Sequence, residues 1–308
     1  MKKLLTVCGL LLVLAGCGAM EVSVDKDVVS FVVPSGAAAY GVFSMLSEAD
    51  NLSGFALDYE IAPNADALSA RVLEGVDVAV VPVNLASILY NRGLDYQVAA
   101  VATWGNLFVL STDDAVTGWQ DLSSTRIYGF GRGLVPDATF AYLLGREGIS
   151  TDLEYLTSPQ EVAQAMIGGV ASTALIAEPA ATMILAQTDA RAILDLQEEW
   201  GGGGYPQAVV IISGDFAQRD PELALEVLGE IQVAMVYANE NPESIAVLAA
   251  GLGETVNPDA LVASFPRLNI RFEAASNAKG AILAYLEALY QMSPELIGGQ
   301  VPGDGFFY

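Results

Sequence analysis

Between residues 28 and 213, short apolar runs alternate with longer stretches in which apolar positions recur every three or four residues. The short runs, at 28–33, 56–61, 77–81, 97–103, 106–111, 126–130, 153–156, 173–177, 192–196 and 208–213, predict strands. Helical spacing predicts helices at 37–49, 65–74, 85–91, 137–146, 159–167 and 179–187. After 213 the pattern becomes chiefly helical, at 221–239, 242–251, 258–265 and 274–292, and the strands are expected to stop at Ser213. Strands and helices in alternation predict an α/β class with mainly parallel sheets.

A strand-rich middle followed by a helical tail suggests a chain that leaves one domain, builds a second, and returns. The expected lobes are 27–111 with 209–308, and 112–208. The crossings are expected at 111–118 and 201–205, and the four glycines at 201–204 would absorb rotation between the lobes.

The first residues have a different character. Lys2 and Lys3 precede an apolar run at 4–16, which is shorter than the roughly 20 residues a membrane-spanning helix needs. The run has the build of a secretory leader. It ends in Leu14-Ala15-Gly16-Cys17, which resembles the bacterial lipobox, so residues 1–16 are expected to be a lipoprotein signal peptide. Cys17 would then be lipidated, with 17–26 as a linker, and the membrane would be reached through the lipid anchor alone. Cys8 leaves with the leader, so the mature chain would have no free thiol and no disulfide.

Composition removes whole classes of function. A formal charge of −24 argues against nucleic acid, whose phosphates require a basic footprint. The chain has no histidine, which removes the commonest general base and metal ligand together. No metal site, catalytic group or cofactor is expected. Gly129-Phe-Gly131-Arg-Gly133 follows a strand, but Leu134 stands where a dinucleotide fingerprint needs its third glycine.

Several stretches together resemble the substrate-binding proteins of nitrate/sulfonate/taurine-type ABC importers. They are Val33-Pro34-Ser35-Gly36, Asp77-Val-Ala-Val-Val-Pro82-Val-Asn84, Thr103-Trp104-Gly105-Asn106-Leu107, Gly131-Arg-Gly-Leu-Val-Pro136-Asp137, Ala177-Glu178-Pro179, and the tail from Ile297 to Tyr308. The resemblance implies a two-lobed periplasmic-binding-protein type II fold with a ligand cleft that closes between its lobes. It also implies a monomer that passes a small-molecule ligand to an ABC permease and ATPase complex, and that performs no catalysis. An enzyme or a ligand-sensing receptor subunit on the same scaffold is the alternative.

Physical chemistry selects candidate ligand contacts within these stretches. Ligands of open α/β sheets sit beyond the carboxyl ends of strands, where helix N-termini present free amides. Ser35, with Gly36, and Asn84 are expected to cap helices there, and Pro136 to open one behind Gly133 and Val135. Arg132 would pair with an anion, whereas Asp137 and Glu178 would favour a donor or an ammonium. Tyr40, Trp104 and Tyr205 could stack on a flat ligand.

Overall fold

The computed structural model describes residues 27–52 and 54–308. The leader, Cys17 and the rest of the linker lie outside the described residues. The chain begins with β1 (Asp27–Pro34), α1 (Ala37–Ser47), β2 (Phe55–Ala62), α2 (Ala65–Glu74), β3 (Val78–Pro82), α3 (Val83–Asn91) and β4 (Tyr96–Trp104). It continues through β5 (Leu107–Ser111), β6 (Ile127–Gly129), α4 (Val135–Glu147), β7 (Leu153–Tyr155), α5 (Pro159–Ile167), β8 (Thr173–Ala177), α6 (Ala180–Gln187), β9 (Arg191–Asp195) and α7 (Leu196–Trp200). The last part holds β10 (Pro206–Ser213), α8 (Gly214–Arg219), α9 (Pro221–Glu240), α10 (Pro242–Gly251), α11 (Pro258–Leu268), β11 (Ile270–Ala274) and α12 (Ala275–Met292).

These strands form two sheets. The first has six strands in the order β11-β4-β10-β3-β1-β2, and the second has five in the order β7-β6-β8-β5-β9. β1 is parallel to β2 and β3, whereas β10 runs antiparallel between β3 and β4. The mixed sheet follows from the connectivity, because β10 returns from the second sheet in the opposite direction.

Strand alternation sorts side chains onto two faces. Phe31, Val33, Val80 and Val210 pack against α1, α9, α10 and α11, while Val32, Val81, Val209 and Ile211 pack against α2, α3 and α12. In the second sheet, Phe108, Leu110 and Ile176 meet α5 and α6. Leu107, Val109 and Leu175 meet α4 and α7, and they belong to the same apolar cluster as Val32 and Val81. One core therefore runs through both sheets. At the junction Tyr205 stacks on Tyr285 of α12 at 5.7 Å, Trp200 lies 5.2 Å from Tyr285, and the Tyr285 hydroxyl shares a 2.8 Å hydrogen bond with Thr139 of α4.

Three sequence expectations are corrected here. Leu107–Ser111 belongs to the second sheet, because β5 pairs with β8 and β9, so the first crossing is Gly105-Asn106 and not 111–118. The second sheet likewise gives up the chain before Pro206, where β10 already pairs with β4 opposite Trp104. The tail also contains a strand: Asn269 takes the left-handed conformation (φ 51°), ends α11, and lets β11 add to the edge of the first sheet. The 201–204 glycines do lie at the second crossing. All four have positive φ, which explains why glycine stands at each.

Candidate functional site

The carboxyl ends of β1 and β3, at Pro34 and Pro82, share an edge of the first sheet with Trp104 of β4. The chain runs from Trp104 through Gly105 and Asn106 directly into β5, which is antiparallel to β8. The ends of β8 and β6, at Ala177 and Gly129, therefore face back toward the ends of β1 and β3. Strand-to-helix turns from both lobes thus oppose one another across the two crossings, the arrangement in which α/β folds hold ligands.

At the crossings the lobes are joined by polar side chains. Gln207 donates to the Asn106 side-chain oxygen (2.8 Å) and accepts from the Asn106 backbone N–H (3.2 Å). Next to them, the Glu178 backbone N–H donates to the Asn106 carbonyl (3.2 Å). The Glu178 carboxylate is the most buried charge of the site. One oxygen accepts from Thr182 N–H (2.9 Å) and Thr182 Oγ1–H (2.8 Å), and the other accepts from Arg267 Nε of α11. Arg267 also donates to Thr182 Oγ1 and lies 6.0 Å from the Phe108 ring centroid. α11 belongs to the first lobe's helices and Glu178 to the second sheet's strand end, so this ion pair spans the lobes.

The remaining candidates fall into separate settings. Ser35 Oγ–H donates to the Glu254 carboxylate (2.8 and 3.0 Å) and does not cap α1, whose N-cap is Gly36 at φ 106°. Tyr40 is buried in the first-lobe core edge-on to Phe43, and its phenol is pushed well above its usual range by burial and by the Glu254 charge. Asn84 is inside the first turn of α3, whose N-cap is Pro82, and donates to the Leu296 carbonyl (3.3 Å). It anchors the C-terminal tail and is not a cap. Its Oδ1 is buried without a partner.

In the second lobe, Arg132 and Gly133 are exposed, and Arg132 lies 5.4 Å over the Tyr155 ring. Asp137 accepts from Gly133 N–H (2.8 Å) and Tyr155 Oη–H (2.6 Å), so its carboxylate is engaged in shaping the loop. The Tyr155 phenol is raised by burial and by the hydrogen bond and charge of Asp137. Val135 is a core side chain in the first turn of α4 with Pro136 beside it, and the Ala138 amide is spent on the Leu134 carbonyl (2.9 Å). The expected open amide there is closed by the helix itself. Tyr205 is fully buried and presents no surface to a ligand; burial, then Tyr285 and Asp195, raise its phenol. Trp104 lies under the Arg271 guanidinium at 4.2 Å from its ring centroid, with its Nε1–H buried and unpaired. Burial decides these outcomes, and hydrophobic spacing alone did not distinguish a core aromatic from a cleft aromatic.

No protein-family model matches the chain, and no curated protein matches it in sequence. Solved structures do resemble it over nearly its whole length. An ABC transporter protein from Parabacteroides distasonis is 22% identical, with 92% of this chain and 99% of that chain covered and a TM-score of 0.78. The periplasmic aliphatic sulphonate binding protein SsuA from Escherichia coli is 15% identical, with 91% and 98% covered and a TM-score of 0.71. The periplasmic nitrate-binding protein NrtA from Synechocystis is 10% identical, with 87% and 82% covered and a TM-score of 0.65. The chain has the type II periplasmic-binding-protein fold.

In this binding-protein fold the contacts that join the lobes use three residues that the sequence reading did not select: Asn106, Gln207 and Arg267. Asn106 and Gln207 are far apart in sequence and meet only because two crossings lie side by side. Arg267 sits between the helices expected at 258–265 and 274–292, and its scarcity value, as one of 13 basic residues, was the only available signal. Among the described residues no group of three or more Cys, Asp or Glu is placed to hold a metal, and no helix is long and apolar enough to cross a membrane.

Proposed function

We propose that this chain is the substrate-binding component of an ABC importer: it captures a small organic molecule or anion between its lobes and delivers it to a permease driven by an ATPase. The observation that carries the reading is the opposition of strand ends from two sheets across paired crossings, bridged by the Glu178–Arg267 ion pair. Named proteins of the same fold, the sulphonate- and nitrate-binding proteins among them, support it. The reading takes 27–105 with 206–308 as one lobe and 106–205 as the other. Ligand contacts would come from Ser35, Gly36 and Arg267 on one side and from Arg132, Gly133 and Glu178 on the other. The protein would work as an exported monomer held to the membrane through lipid on Cys17, and would perform no chemistry on its cargo.

The test is mass spectrometry of small molecules released from protein purified under native conditions, followed by titration of the released compound back onto the emptied protein. Small-angle scattering should then show compaction, and Ser35→Ala or Arg267→Ala should weaken binding. Recovery of a compound that the protein alters chemically would overturn the importer reading in favour of an enzyme. Membrane retention that survives Cys17→Ala would overturn the lipid anchor.

A further inference from the structure

The two crossings divide the space between the lobes. The cleft lies toward β3 and β1 in one lobe and β8 and β6 in the other. On the opposite side, toward β11 and β9, is a second cavity of about 550 Å³. Trp104, Phe265 and Arg271 line it from the first lobe, and Glu198 and the 201–204 glycine loop line it from the second.

We propose that this rear cavity binds a small zwitterion with an apolar body, charged as an α-amino acid is, and that its occupant fixes the angle between the lobes. The volume is that of a small-molecule site. The charges are opposed across the junction: Arg271 stands on the first lobe and Glu198 on the second, and they do not pair with each other. The guanidinium of Arg271 lies over the indole of Trp104 and touches Glu273 of its own strand at 3.4 Å, which leaves N–H groups for a carboxylate. The Glu198 side chain has no partner among the described residues, so it is available to an ammonium group. Trp104 lines the cavity, and its ring backs the Arg271 guanidinium and holds it in place at the wall. Phe265 and its neighbours supply an apolar wall for a side chain.

One side chain also ties the second-lobe wall to the crossing. Gln197 of α7 accepts from Tyr205 N–H (3.3 Å) and donates to the Gly203 carbonyl (3.4 Å), and a Cβ at Gly105 or Gly204 would collide with its amide. Because the cavity lies behind the crossings, a rotation that opens the cleft narrows it, and a rotation that closes the cleft widens it. A molecule touching both Arg271 and Glu198 therefore binds one lobe angle better than others, which is the requirement for coupling between sites.

Calorimetric titration of the mature chain with L-leucine tests this, with 4-methylpentanoate and isopentylamine as half-molecules lacking the ammonium or the carboxylate. Leucine should bind, and each half-molecule should bind at least about tenfold more weakly. Arg271→Ala and Glu198→Gln should each weaken leucine by about tenfold or more while leaving the unfolding midpoint unchanged, since both side chains are exposed. Ser35→Ala, in the cleft, should leave leucine binding within about twofold. Absence of binding by leucine, phenylalanine and glycine betaine up to about 10 mM would overturn the proposal. So would leucine binding that is lost in Ser35→Ala or Arg267→Ala and kept in Arg271→Ala, which would place the amino acid in the cleft.

Discussion

Of the two partners in the interlobe ion pair, the Glu178 side chain has no exposed surface, whereas Arg267 keeps 41% of its side-chain exposure. Removing either partner is therefore not equivalent. Glu178→Ala leaves a guanidinium that water can still reach, and should cost about 1–3 kcal/mol. Arg267→Ala strands a buried carboxylate with only Thr182 for support, and should cost about 3–5 kcal/mol. Urea unfolding of both variants and of the double variant checks this. The double variant should be no less stable than Arg267→Ala alone, and the reverse ranking of the single variants would contradict the burial argument. A second residue-scale effect concerns the phenols of Tyr40, Tyr205 and Tyr285, which burial raises above their ordinary value of 10.0. Their neutral form is favoured in the folded state, so the stability they contribute is complete below pH 10 and is lost as pH rises beyond it. Each such phenol should cost about 1.4 kcal/mol per pH unit above 10 until its own folded-state value is reached. The chain has twelve tyrosines, so the share of tyrosinate absorbance belonging to these three phenols should appear only together with loss of circular dichroism; ionisation of all twelve in an intact fold would refute it.

At the scale of elements, the C-terminal tail is held to α3 by a row of side chains one helical turn apart. Ser87 Oγ–H donates to the Ile297 carbonyl (2.8 Å), and Asn91 donates to Ile297 and Gln300 carbonyls (both 2.7 Å). Gly298 fits there because a Cβ would sit 3.0 Å from the Ile88 backbone. Asn91→Ala should loosen the tail by about 1–3 kcal/mol, read as about 10- to 100-fold faster amide exchange over 294–307 with α12 unchanged. Most element positions were legible in the sequence, because burial on one or two faces leaves a periodic trace: β8, α2, α5 and α10 fall where the pattern places them. Partnership was less legible. The run at 107–111 is equally apolar in either sheet, and only its register with β8 and β9 assigns it to the second. β11 escaped for a related reason: five residues behind a left-handed Asn269 have no strand pattern until β4 supplies an edge. The site was legible as turns at strand ends, but not as pairs, since Glu178 with Arg267 and Asn106 with Gln207 are made by tertiary folding alone.

For the whole molecule, the decisive feature is that the apolar core passes without interruption from Val32 and Val81 through Leu107 and Tyr205 to Val109 and Phe140. Two lobes with separate cores could melt separately. Here neither can lose its packing without exposing the other's, so calorimetry should show one endothermic transition whose van't Hoff and calorimetric enthalpies agree. Two resolved transitions would mean that the shared core contributes little to coupling between the lobes.

Trp200 lies 5.5 Å from Tyr205 of the crossing and 5.2 Å from Tyr285 of the first lobe, and 4.8 Å from Tyr142 of the second. Emission from this indole, and the energy it receives from its tyrosine neighbours, therefore depend on how the lobes are set. With only three tryptophans in the chain, ultraviolet fluorescence becomes a label-free gauge of lobe angle. Compounds could be screened by the colour and intensity of the protein's own light before any of them is known to bind, and Trp200→Phe should silence most of that response.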